Sequence, residues 1–213
     1  MMPRRFDILH DDGRDICIVG KSYVNKMVFD IVKSQRKVLL LTFEECQQQP
    51  ISFFQDHQFF STSSTMSFKK IMIDWLSTKD ASFISLVDST NVIDHDVTIG
   101  CNTVILDHNS LMPGITIGNH CHVVNHAHIV HETSISDFCY ICGYSYLCFT
   151  HLGTGSVIGL RSSFVPKPPI KLDIPSWTNF LLNSAVNRSI DQPGTYFGNR
   201  KINDHTSLTY SIM

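Results

Sequence analysis

Ile117-Gly-Asn-His-Cys-His-Val123-Val-Asn-His-Ala-His-Ile129-Val-His-Glu-Thr-Ser-Ile135 carries an aliphatic residue at every sixth position. The beat runs outward from this stretch without a miss, through Val87, Ile93, Ile99, Ile105 and Leu111 on one side and Ile141 and Leu147 on the other. A period of six is a multiple of two and not of 3.6, so it suits an extended chain and not a helix. Positions two residues earlier are mostly small or short: Val97, Thr103, Asn109, Cys121, Ala127, Thr133, Cys139 and Ser145, with Ile115 the bulky exception. Gly100, Gly118 and Ser136 each follow an aliphatic residue at intervals of 18. Three six-residue sides making one 18-residue turn predict a triangular parallel β-coil, its turns pairing at about 4.8 Å.

The bulk numbers agree with a folded, water-facing protein. At 213 residues, with 43% hydrophobic and 17% charged, the chain can bury a sizeable core. A net charge of −2 lacks the basic footprint of a nucleic-acid binder. No apolar run approaches the roughly 18 residues of a membrane span, so no transmembrane segment is expected. Met1 to His10 holds basic residues but no apolar stretch long enough for a signal peptide. Seven cysteines are an odd count, and Cys121 and Cys139 fall on the small interior beat, so a reducing cytoplasm is the expected setting.

Three segments follow. Residues 1–80 read as a small Rossmann-like α/β unit. Asp15-Ile-Cys-Ile-Val-Gly20 is a strand ending in glycine, Ser22 can cap a helix through Val24, Met27, Val28 and Ile31, and Lys37 to Thr42 reads as a second buried parallel strand. Gly20-Lys-Ser-Tyr-Val-Asn25 holds one glycine where a full dinucleotide fingerprint needs three. Ser61 to Thr65 is a polar break, and Phe68 to Trp75 fits a helix. Residues 81–165 form the coil, whose beat slips by one residue near Phe149-Thr-His151 and resumes at Leu152, Ile158 and Phe164. Val165-Pro-Lys-Pro-Pro169 is expected to end it, because proline cannot donate to a ladder. Residues 166–213 have no clear period and are expected to cap the coil or meet a neighbouring subunit.

Six histidines crowd between His108 and His131, none on the aliphatic beat, so most are expected to point outward. His108, His126 and Tyr144 would stack as one outward column. His131 is followed directly by Glu132, which could hold the imidazole tautomer. An imidazole near its ordinary value can take a proton from an amine or hydroxyl at neutral pH. An acceptor so activated can attack a thioester carbonyl. One turn on from His131 lies Phe149-Thr150, where the slip would free a backbone amide to hold the oxyanion.

On these residues the chain resembles the left-handed β-helix hexapeptide-repeat acyltransferases, and within them the acetyltransferases of amino sugars and sialic acids in bacterial glycan synthesis. The resemblance covers the N-terminal β-α-β unit, the coil and a closing Gly194-Thr-Tyr-Phe-Gly-Asn199. It implies a left-handed coil, a homotrimer, acetyl-CoA in the groove between coils and an acceptor, a sugar or nucleotide-sugar, nearer the first domain. His131-Glu132 before Ile135-Ser136 matches the catalytic string. The implied cofactor contacts are Gly143, Phe149, Thr150, Gly159, Ser163, Arg200 and Lys201, and the implied acceptor contacts are Gly20, Ser22, His126 and Tyr140. No metal is expected. Three departures stand out: Val24 occupies a place where the family often has histidine, Phe149 or Thr150 stands where it usually has a glycine near the oxyanion donor, and Asn199-Arg-Lys201 replaces a small-Pro-Ala close.

Two other readings are open at this point. His126 and His131 have the five-residue spacing of zinc ligands in γ-class carbonic anhydrases, but the third ligand would fall on Thr90. A non-catalytic scaffold using the coil for trimer assembly is the other.

Overall fold

The computed structural model describes residues 4–202, so the last eleven residues of the expected capping segment lie outside the described part. The α/β unit forms for local reasons. β1 (Phe6–Leu9) leads into β2 (Asp15–Val19), whose Ile16, Cys17, Ile18 and Val19 are fully buried. Ser22 then caps α1 (Tyr23–Val32), accepting from the Asn25 N–H at 3.2 Å, and Val28 and Val32 pack beneath. β3 (Val38–Leu41) follows, and Thr42 and Glu45 form a reciprocal capping box on α2 (Phe43–Gln47). α3 (Ile51–Asp56), β4 (His57–Phe60), α4 (Met66–Ser77) and β5 (Ser82–Phe83) complete a parallel sheet in the order β3-β2-β4-β5. The second strand is therefore an edge and not the buried element its composition suggested. Leu39 stays 39% exposed there.

From β6 (Ser85–Asp88) the chain winds as a left-handed parallel β-helix with three faces. Successive turns pair in register at 18 residues, as Ser110 with His128, Thr116 with Ser134 and His122 with Tyr140. The aliphatic beat stacks inside as one column per face, that of the first running Ile105, Val123, Ile141 and Ile158. The small beat has a second task, since its polar members tie corner to corner. Thr103 Oγ1 donates to the Gly118 carbonyl at 2.8 Å and accepts from the Cys121 N–H at 3.0 Å. Asn109 Oδ1 likewise accepts from the Ala127 N–H at 2.7 Å.

The prolines do not end the coil. Pro166 to Pro169 lie in a loop between Ser163–Phe164 and Leu172–Ile174, and the ladder resumes beyond it. Leu172–Ile174, Asn179–Phe180 and Ala185–Val186 add one side to each face, and Thr195–Phe197 adds another to the first. The irregular tail expected from residue 166 is thus a further turn with an insertion carried at one corner. Antiparallel strands cover both ends of the first face: β1 pairs with β6, and Arg200–Lys201 folds back on Thr195–Phe197. No helix among the described residues is long and apolar enough to cross a membrane.

Two of the six histidines leave the coil interior without fully reaching solvent. His122 is 1% exposed and His120 only partly exposed, because the Ser61–Thr65 loop and α4 cover that face of the coil. Asn102 Nδ2 donates to the Ser61 carbonyl, and His122 Nδ1 meets Thr62 Oγ1 at 3.1 Å. Lys69, wholly buried, donates to the His120 carbonyl at 2.6 Å.

Candidate active site

The coil's corners supply the geometry. A regular corner has four residues, the third in the left-handed region, as Asn102, His108, His120, His126, Phe138 and Tyr144 all show. Val130-His-Glu-Thr133 breaks the rule. His131 (φ 38°) and Glu132 (φ 47°) are both left-handed, a strained pair for residues with a Cβ. The cause is the 17-residue turn that follows. Phe149 N–H donates to the His131 carbonyl at 2.9 Å, while Ser134 already faces His151. Between those two points one strand-to-strand link has Glu132 and Thr133 and the next has Thr150 alone. Glu132 therefore has no counterpart on the next turn and stands out from the edge.

His131 is exposed there, its ring stacked on Phe149 at 5.6 Å with 18° between planes. The expected Glu132–imidazole contact is not made. Glu132 Oε2 instead meets Lys171 Nζ at 2.5 Å, reaching across two turns. At the slip the Phe149 N–H is spent on the His131 carbonyl at 2.9 Å, and Thr150, fully buried, turns its hydroxyl to the Cys148 carbonyl at 2.9 Å.

The edge continues below. Leu172 N–H donates to the Phe149 carbonyl at 2.8 Å, and Ser189 Oγ accepts from the Asp173 N–H at 2.9 Å. Next to Ser189 opens a groove of about 500 Å³ lined by Arg188, Asp191, Tyr196 and Lys201 among others. His131, Phe149, Lys171 and this groove thus lie on one edge. Lys201 belongs to it, whereas Arg200 is exposed on the closing strand and is not part of the lining.

The other expected contacts sit elsewhere. His126 is on a different edge, stacked between His108 at 5.2 Å and Tyr144 at 4.8 Å, with Arg161 over Tyr144. Gly143 and Gly159 serve packing along that same edge, where a Cβ would meet Asn125 O at 2.8 Å and Leu181 C at 2.5 Å. Ser163 follows on the strand paired with Tyr146. Gly20 (φ +97°) leaves room for Asn25, and the Ser22 hydroxyl is committed to the helix cap. Tyr140 is 6% exposed over the His122 ring, and burial pushes its phenol up. Lys171, Arg188 and Tyr196 lie past Val165, where the aliphatic beat alone does not place them on the coil. Counting a 22-residue turn from Thr150 to Leu172 would have found Lys171.

Among the described residues no three His, Cys, Asp or Glu side chains gather as a metal cage, and His126 and His131 lie on separate edges. At the domain junction, burial pushes His122 down to about 3 and His120 down to about 4, with Lys69 adding to both. Burial likewise lowers Lys69 to about 7. The His122 Nε2 has no partner there among the described residues.

Fold and edge together define a left-handed β-helix carried behind a small α/β unit, with an exposed imidazole at a strained corner. No family model matches the chain, and no curated protein sequence does either. Solved structures do. The acetyltransferase domain of PglB from Neisseria gonorrhoeae in complex with acetyl coenzyme A superposes with a TM-score of 0.74 at 12% identity, over 85% of this chain and 95% of that one. WeeI from Acinetobacter baumannii gives 0.75 at 16% identity, over 87% and 97%. PerB from Caulobacter crescentus in complex with CoA and GDP-perosamine gives 0.61 at 13% identity, over 89% and 95%. The likeness establishes the shared fold.

Proposed function

We propose that this chain is an acetyl-CoA-dependent acetyltransferase acting on an amino group or hydroxyl of a sugar, free or nucleotide-linked, in bacterial surface-glycan synthesis. The observation that carries the reading is the exposed His131 at the one corner, among the described residues, with two left-handed residues, on a fold shared with structures that hold acetyl coenzyme A or CoA. His131 is the base. Its ring nitrogen takes the acceptor's proton as the acceptor's nitrogen or oxygen attacks the thioester carbonyl carbon. The C–S bond then breaks, and the imidazolium returns the proton to the departing thiolate.

The groove on the same edge supports the cofactor's course. With the thioester at His131, the phosphates would run past Phe149 toward Arg188 and Lys201, two cations suited to them. The Phe149 amide is committed to the ladder, so the oxyanion donor comes from another group on the edge or from a neighbouring subunit of a homotrimer. Gly20, Ser22 and Asn25 are occupied with one another and with the Ser61–Thr65 loop, which favours an acceptor bound outside that crevice. The proposed setting is the cytoplasm, where acetyl-CoA is supplied.

The test is thiol release from acetyl-CoA against a panel of amino sugars and hydroxyl sugars, each free and nucleotide-linked. Acceptor-dependent release with at least one member is expected. Release with none, together with no thermal shift at saturating acetyl-CoA, would leave a scaffold as the better account. A ligand at 100 times its Kd should stabilise by about 2.7 kcal/mol, so a real site cannot hide from that shift.

A further inference from the structure

The 17-residue turn does more than strain a corner. The turn through Phe149 lacks a residue opposite Glu132, so no side chain of that turn is in register with it. Two ladder steps span about 10 Å, and across that gap Lys171 Nζ reaches Glu132 Oε2 at 2.5 Å. A normal 18-residue turn would put a side chain in the way. Lys171 itself follows the proline loop, so the inserted residues deliver an ammonium to the place the deletion vacated.

The pair is more than half exposed, at 58% and 63%, so it adds little to stability. Its effect is on where charge lies. Glu132 is adjacent in sequence to His131, yet among the described residues no hydrogen bond or ion pair joins them. The groups around the imidazole can be named element by element. Its own corner brings Glu132, the next turn brings Phe149, and the turn after that brings Lys171. The turn before it, Met112-Pro-Gly114, brings nothing that titrates. The flanking strands carry His128 on one side and His151, bonded to Ser134 at 2.9 Å, with Asp173 beyond it on the other.

We infer that Lys171 is a positioning residue for the proposed acyl transfer, holding the Glu132 carboxylate off the His131 imidazole so that the ring is left open to the acceptor. This rests on the reading of His131 as base. Releasing Glu132 would place an unpaired carboxylate beside the ring and remove a cation from its surroundings. Both changes favour the protonated ring, which cannot act as a base.

The experiment is the pH profile of kcat/KM for Lys171→Met, Lys171→Arg, Glu132→Gln and the double variant Lys171→Met/Glu132→Gln. Lys171→Met should move the acid limb upward by about one pH unit, with the rate at pH 8.5 within about twofold of the parent. Lys171→Arg should keep the parent profile, and the double variant should bring the limb back. Melting temperatures should barely move, since both side chains are exposed. An unmoved limb in Lys171→Met, or a rise in KM for acetyl-CoA with the limb unchanged, overturns the inference. His131→Ala separates the two layers. Full activity there removes the base itself, whereas an inactive His131→Ala beside an unmoved Lys171→Met limb removes only the role of Lys171.

Discussion

Two edges of the same coil carry stacked histidines, and the repeat is intact along one and broken along the other. Along His108, His126 and Tyr144 every corner has four residues with a single left-handed one, and the rings pile up at 5.2 and 4.8 Å. Along His131 and Phe149 the corner is doubly left-handed, the turn is one residue short, and an ion pair spans the gap. Where the repeat is intact, an imidazole is a packing element. Where the repeat is broken, the same side chain is held in a conformation that only the surrounding ladder enforces, which is where strain is informative about function.

The largest expected effect contrasts those two imidazoles. His131→Ala should fold and bind acetyl-CoA but lose about 10²-fold or more in turnover, measured by thiol release. Comparable activity would show that the broken corner is only structural. The next effect comes from repairing the break. Inserting one glycine between Phe149 and Thr150 restores an 18-residue turn, so the chain should still fold by circular dichroism. Turnover should drop at least about tenfold, because small displacements of a reacting group are costly. Unchanged turnover would separate the short turn from catalysis.

A third effect concerns the covered histidines. His120 and His122 lie below the ordinary histidine value in the folded chain and regain it on unfolding. A depressed imidazole stays neutral when folded, so the unfolded state binds more protons. Stability is then full above about 6.5 and falls as pH drops toward about 4 for His120 and about 3 for His122. Each group contributes about 1.4 kcal/mol per pH unit across its window. Melting followed from pH 7 to 4.5 should show that slope, and His122→Asn should flatten it. An equal slope in both proteins would place the acid sensitivity elsewhere. The smallest effect is expected from His126→Ala: turnover within about threefold and roughly 1 kcal/mol lost from the stack. A large loss of turnover would move the site to the regular edge.

The coil was legible because its beat is set by backbone pairing and side-chain size, both written in local order. Asp15 to Gly20 and Ser22 were legible for the same reason: a strand and its cap depend on neighbours. The end of the coil was not. Pro166 to Pro169 break a ladder only where they sit in it, and a loop can carry them outside while the turns close around it. His122 and His120 looked outward because alternation gives the face a side chain occupies, not what another domain lays over that face. The Glu132–Lys171 pair was hidden by the same limit, since its partners are 39 residues apart and meet only through one short turn and one long one.

The most direct measurement is a crystal structure with acetyl-CoA bound. The acetyl carbonyl should lie beside the His131 imidazole, with the cofactor following that edge toward Arg188 and Lys201. A cofactor seated instead along His108, His126 and Tyr144 would contradict the account, because the intact repeat would then hold the chemistry and the broken one would not.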